Sequence, residues 1–225
     1  MYLTRFRFNT ARRGARGLLS GPNRLHAAVL HGFPEPERLQ GESGRILWRL
    51  DQAARHDAVL YIASPEEPDL THLVEEAGWP ARGTGWDTRP YGKLLASLDT
   101  GQRWAFRLTA NPVHFARTTP DGPKRWLPHV TPDQQLEWLL DRCKGRGFTI
   151  PAKADGSPNV TVHDRTWLRF TKSQDRREVT IRVVTYEGAL EIGDVEALRH
   201  SLVHGIGKAK AYGCGLLTLA PLGGG

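Results

Sequence analysis

A histidine near the start of the chain and a glycine-framed loop near its end are the two features with the residue types and spacing to work on a phosphate-rich ligand. The loop reads GIGKAKAYGCG over residues 205–215: Gly205, Gly207, Gly213 and Gly215 frame Lys208, Lys210 and Tyr212. Glycine lets backbone N–H groups approach a bulky anion, lysine supplies compact positive charge, and tyrosine adds a stacking surface and a hydroxyl. Mononucleotide-binding loops follow a strand and open a helix. This one follows a predicted helix and feeds the apolar run 216–219, so the ligand it suits is a polyanion carrying bases. A solvated turn at a helix end would need one or two glycines, not paired G-x-G units flanking Lys-Ala-Lys.

The histidine is His26. It falls one residue after Leu25 on a predicted helix, roughly 100° round the axis from that buried position, which places it at the rim of the core. An imidazole there, beside bound phosphate, can give or take a proton at physiological pH. The alternative is a histidine satisfied by a neighbouring carbonyl. His31, at the end of the same helix, is placed to cap its carbonyls, and His200 and His204 share a helix face but lack the third ligand of a zinc site. Cys143 and Cys214 make no disulfide framework and no Cys-x-x-Cys pair. Neither a metal nor a cofactor is expected.

The elements that must position these groups follow from periodicity. Residues 2–8 alternate as a half-buried strand, with Phe6 and Phe8 inward and Arg5 and Arg7 outward. A basic glycine-bearing loop follows. Ser20, Gly21 and Pro22 then open the helix, Leu25, Ala28 and Val29 form its buried stripe, and Gly32 and Pro34 stop it. The apolar runs 45–50 and 58–63 suit a hairpin, a helix starts at Asp69 and ends at Gly78, and residues 104–109 alternate as a fourth strand. The order βαββαβ is the ferredoxin-like plan. The second half is a degenerate copy: a helix from Thr131 with Leu136, Leu139, Leu140 and Cys143 on one face, strands over 160–162, 166–171 and 178–186, a helix from Asp194, then the glycine loop and the closing strand. The fold class expected is α+β, two tandem ferredoxin-like (RRM-like) domains over 1–111 and 112–225. The boundary is set by a Pro- and Arg-rich stretch from 112 to 132.

The net charge of +7 is unevenly spread. Residues 1–34 hold six arginines, among them Arg12, Arg13, Arg16 and Arg24, and no acid; after Glu196 come Arg199, Lys208 and Lys210, again with no acid. The middle is slightly acidic. Such a footprint suits nucleic acid if folding brings the termini together. A second basic feature is the predicted hairpin over 167–182, where Arg165, Arg169, Lys172, Arg176, Arg177 and Arg182 stand against Asp175 and Glu178. It suits contact with an RNA groove, although exposed hairpins are also charged to protect their edges. No segment joins a large apolar face to a lysine-rich one, so no membrane partner is expected. The opening alternates instead of running apolar, which leaves the cytoplasm as the expected compartment.

Taken together, MYLTRFRF, PNRLHAAVLHGF with its histidine, WAFRLTANPV and GIGKAKAYGCGLLTL resemble the CasE family, the type I-E CRISPR repeat-processing endoribonucleases. The resemblance spans essentially the whole chain. It implies two RRM-like domains with RNA across the cleft and basic face between them. It further implies metal-independent cleavage of the repeat stem-loop in precursor CRISPR RNA, and retention of the hairpin with the other subunits of the Cascade complex. His26 falls on the family's catalytic histidine. Asn23 departs from the pattern, since some relatives place a tyrosine one turn before the histidine, and asparagine can act as neither acid nor base. A catalytically inert RNA-hairpin-binding subunit of the same fold is the competing reading.

Overall fold

Strand β1 (Tyr2–Phe8) buries Phe6 and Phe8 on one face and exposes Arg5 and Arg7 on the other, the alternation that a half-buried strand requires. The computed structural model describes residues 1–54, 56–79, 85–119, 121–171 and 177–223. After β1 come α1 (Arg13–Leu19), α2 (Pro22–His31), β2 (Leu47–Ala54), β3 (Asp57–Ser64), α3 (Thr71–Ala77), β4 (Trp86–Pro90) and α4 (Gly92–Ser97). The strands form an antiparallel sheet in the order β2-β3-β1-β4, the ferredoxin-like order. Leu25 and Val29 of α2, and Leu73 of α3, pack with Phe6, Phe8, Leu60 and Ile62 on one face of it.

The second unit is built from β5 (Arg103–Ala110), a separate hairpin β6 (Val113–Arg117) and β7 (Lys124–Pro128), α5 (Pro132–Cys143), β8 (Phe148–Thr149), β9 (Val160–Thr171), β10 (Glu178–Ile192), α6 (Val195–His204) and β11 (Leu217–Ala220). Its sheet runs β8-β10-β5-β11, with β9 also on β10. The plan is that of the first sheet with the second strand broken into β8 and β9, which the 15-residue β10 pairs in turn. The fold is therefore two tandem ferredoxin-like units, the second irregular. Thr131 caps α5 through a capping box with Gln134. The buried face of α5 centres on Gln135, Trp138, Leu139 and Cys143, while Leu136 and Leu140 are half-buried.

One strand belongs elsewhere than the periodicity suggested. The 104–109 alternation is β5, which pairs with β10 and β11 in the second sheet; the fourth strand of the first sheet is β4. The sequence WDTRP of β4 carries no apolar alternation because it is an edge strand with no fully buried residue. The units accordingly divide at Leu98 and Asp99. Residues 113–128, within the stretch read as a boundary, fold as the β6–β7 hairpin.

The chain's end does not stay in one unit. Residues 203–205 and 210–216 belong to the first unit, and 206–209, with the strand from Leu217, to the second. In the first unit Leu216 packs with Leu47 and Ala63 on the face of the sheet away from α2. Arg49 fixes that return: its guanidinium donates to the Leu216 carbonyl at 3.1 Å and grips both carboxylate oxygens of Asp51 at 2.7 and 3.0 Å, while its side chain is 2% exposed. Removing one partner of a buried ion pair strands the other charge. Arg49→Met should therefore destabilise the protein by about 3–5 kcal/mol, read as a lower urea midpoint.

Candidate functional site

Helix α2 begins at Pro22, whose fixed φ suits a first helical position, after Gly21 in extended conformation, and Leu25 and Val29 hold it on the sheet. His26, one residue on from Leu25, is half-buried at the core's rim. Its partner is a side chain and not a carbonyl. Trp48, on β2 and 3% exposed, donates its indole N–H to His26 Nδ1 at 3.3 Å, the two rings lying 22° from parallel. Burial, and then the positive charge of Arg45, hold the imidazole below its usual pKa. The lowered pKa favours the neutral ring at physiological pH.

The glycine loop meets the helix that carries this histidine within the first unit. Its short 3-10 turn, Lys210–Tyr212, packs against both α2 and β2. Lys210 and Tyr212 are half-buried there. Gly213, in the left-handed region at φ +80°, lies on the Trp48 indole, where a Cβ would come within 2.7 Å of Cζ3. At Gly205 a Cβ would meet Leu47 and the Gly215 carbonyl at about 3 Å. Gly205, Gly213 and Gly215 are buried, and the first two serve close packing on β2. The part of the loop in the second unit places Gly207 against the Trp138 ring and the exposed Lys208 over the Trp126 ring, its Nζ 3.9 Å from the centroid.

The acid-free first segment is brought to the loop, but its arginines do not all point their charge at solvent. Arg5 pairs with Asp87 of β4 at 2.7 Å and Arg7 with Asp57 of β3 at 3.4 Å. Arg12 donates to the carbonyls of Val74, Glu75 and Gly78, closing the C-terminus of α3 where cations are favoured. Arg16 bonds the Ala11 carbonyl and lines an open cavity of about 460 Å³ with Thr10, Ser20, Gln52 and His56. Arg24 reaches Ser20 Oγ at 3.3 Å, and Arg13 is exposed. Charge counted along the chain thus overstates the local excess, because antiparallel neighbours supply acids that are distant in sequence.

In the second unit Arg169 and Arg177 are exposed on the long β9–β10 hairpin, whereas Arg165 is turned inward, donating to Gln135 Oε1 at 2.7 Å and to the Val130 carbonyl at 2.6 Å. Lys172 and Arg176 lie outside the described residues. Arg182 sits over its cross-strand partner Trp167, 5.2 Å from the ring centroid. Sequence reasoning missed Trp48 and the cross-strand pair Phe115 and Trp126, 53% and 49% exposed with centroids 5.1 Å apart. Exposed aromatics beside Lys208 are a signal available from the structure alone. Among the described residues no three His, Cys, Asp or Glu side chains come together as a metal site. None of the described helices is long and apolar enough to cross a membrane.

The sequence model of a family described as CRISPR associated protein matches residues 1–221. The chain belongs to this family. Among its relatives, the CRISPR-associated endoribonuclease Cse3 of Thermus thermophilus is 31% identical over 226 residues, 98% of this chain and 100% of Cse3. The CRISPR system Cascade subunit CasE of Escherichia coli is 30% identical over 191 residues, 78% of this chain and 89% of CasE. A solved structure of the CRISPR endoribonuclease Cse3 bound to a 19-nucleotide RNA matches with a TM-score of 0.81 at 30% identity, covering 98% of this chain and 100% of that one. The CRISPR-associated family is thus matched along nearly the whole chain, through both ferredoxin-like units.

Proposed function

We propose that this CRISPR-associated protein is an endoribonuclease that cuts the repeat stem-loop of precursor CRISPR RNA in the cytoplasm and keeps the product hairpin within Cascade. The observation that carries this reading is a half-buried histidine on a helix that packs against a lysine- and tyrosine-bearing turn, in a chain 31% identical to an endoribonuclease. The reaction is a transesterification. The 2′-oxygen forms a bond to the adjacent phosphorus, the bond from phosphorus to the 5′-oxygen breaks, and the proton leaving the 2′-hydroxyl is balanced by one gained at the 5′-oxygen. The products are a 2′,3′-cyclic phosphate and a 5′-hydroxyl.

Because the nucleophile belongs to the substrate, the protein has to align the attacking and leaving oxygens, stabilise the charge gathering on phosphate and assist proton movement. His26 serves the proton step. Arg24, Lys208 and Lys210 supply positive charge, and Tyr212 a hydroxyl or stacking surface. Arg13, Arg169 and Arg177, all exposed, suit the phosphates of the stem. General acid–base help of this kind contributes about 10²- to 10⁴-fold, so turnover is slow, which suits an enzyme that holds its product. Asn23 favours the second reading, an inert hairpin-binding subunit, since it supplies no second acid or base. Incubation of labelled cognate repeat RNA with the protein in EDTA decides between them: cleavage supports the enzyme, and tight binding without cleavage the inert subunit.

The electrostatic part has its own expected result. Replacing Lys208 and Lys210 by alanine should weaken hairpin binding and flatten the plot of log K against log salt by roughly 0.7 to 0.9 for each phosphate that is no longer neutralised. Arg38, paired with Glu35 at 2.6 Å, and Arg103, paired with Glu191 at 2.7 Å, are already neutralised. Their alanine variants should leave the slope unchanged. Equal slopes for the two double variants would mean that the loop lysines hold no phosphate.

A further inference from the structure

We propose that Trp48 is the positioning residue of His26, and that the glycine loop holds Trp48 in place through Gly213. The inference rests on His26 as the group that meets the RNA. Strand β2 lies at the edge of the first sheet and alternates its side chains: Leu47 packs with Leu216 on one face, Trp48 among the α2-side core on the other. The returning loop touches both, Gly205 on Leu47 and Gly213 on the Trp48 ring. The indole is thus clamped at its benzo edge by the loop while its Nε1–H points at His26 Nδ1, 3.3 Å away.

An indole nitrogen can only donate, so Nδ1 has to accept. Trp48 consequently selects the tautomer with hydrogen on Nε2; a proton on Nδ1 would set two N–H groups against each other. His26 then offers the RNA one polar atom, and that atom is a donor. Abstraction of the 2′-hydroxyl proton by Nε2 needs the opposite tautomer, and loss of the Nε2 proton would leave an imidazolate, so the geometry favours a hydrogen bond from Nε2–H that stabilises the charge developing on the phosphate or the leaving 5′-oxygen. The elements packed against α2 carry Arg13 and Arg16 on α1, His72, Glu75 and Glu76 on α3, Arg49 and Asp51 on β2, and Lys210 and Tyr212 on the turn, with Arg45 just before β2. The His26 pKa is held down by burial and by Arg45, with no acid among the causes. The Trp48 bond adds to their effect, because it exists only with the neutral ring.

The test is nitrogen-15 NMR of the histidine-labelled full-length protein, with the His26 signals identified by their loss in His26→Ala, alongside single-turnover cleavage of the repeat RNA. The wild-type ring should be the Nε2–H tautomer. In Trp48→Phe, which keeps an aromatic ring but lacks the donor, the tautomers should mix and the His26 pKa should rise, since a bond to the neutral form is lost. Cleavage should slow on the order of ten-fold at unchanged RNA affinity. Gly213→Ala, whose new Cβ displaces the indole, should reproduce all three effects while both loop lysines remain. A wild-type Nδ1–H tautomer overturns the proposal even if neither variant folds. A folded Trp48→Phe with unchanged tautomer and rate, beside a slow His26→Ala, overturns the role of Trp48 alone. Full cleavage by His26→Ala overturns the catalytic reading beneath it.

Discussion

Replacing His26 by alanine should slow cleavage of the cognate repeat by about 10²- to 10⁴-fold and leave hairpin affinity within a few-fold. The two effects separate because of the charge state. Burial and Arg45 both push the imidazole below its ordinary pKa, which favours at neutral pH the uncharged ring that adds no electrostatic attraction to the phosphates. Affinity is left to the lysines and exposed arginines. Single-turnover rates and filter binding on the same RNA measure both quantities. A parallel fall in rate and affinity would make His26 an anchor and not a participant. The variant should fold normally, because Leu25 and Val29, not His26, bury α2.

What was legible in the sequence was what local chemistry decides. The β1 alternation, Pro22 and Gly32 at the ends of α2, and the Thr131 cap each follow from properties of one residue and its near neighbours. His26 was found for the same reason, since its offset from Leu25 is fixed by helix geometry. The partner of His26 was not. Trp48 sits in an apolar run that reads as core, and it is core; the direction of its indole N–H depends on α2, which is distant in sequence. The loop glycines were read as room for an anion, whereas at Gly205 and Gly213 the room is filled by Leu47 and Trp48. Strand β4 escaped because an edge strand needs little apolar alternation, and that omission moved β5 into the wrong sheet. The arginine count suffered from the same limitation: Asp57 and Asp87 neutralise Arg7 and Arg5 only once strands pair.

A single 2′-deoxy nucleotide immediately upstream of the cut should abolish cleavage, while EDTA should leave the rate unchanged. The first change removes the nucleophile itself. An intramolecular nucleophile already aligned with phosphorus is worth effective molarities on the order of 10⁵ M or more, a larger factor than His26 supplies, and no side chain here replaces it. Water is not a substitute, because the proposed protein groups align the 2′-oxygen and not an external hydroxide. Hairpin affinity should be nearly unaffected, since phosphates and bases are untouched. The deoxy RNA should therefore compete with cleavable repeat as an unreactive ligand. EDTA is the complementary arm: a hydrolytic pathway through two metal ions would cleave the deoxy substrate and stop in chelator. Transesterification predicts the reverse on both counts, so one gel with the two substrates, each with and without EDTA, separates the mechanisms without any protein variant.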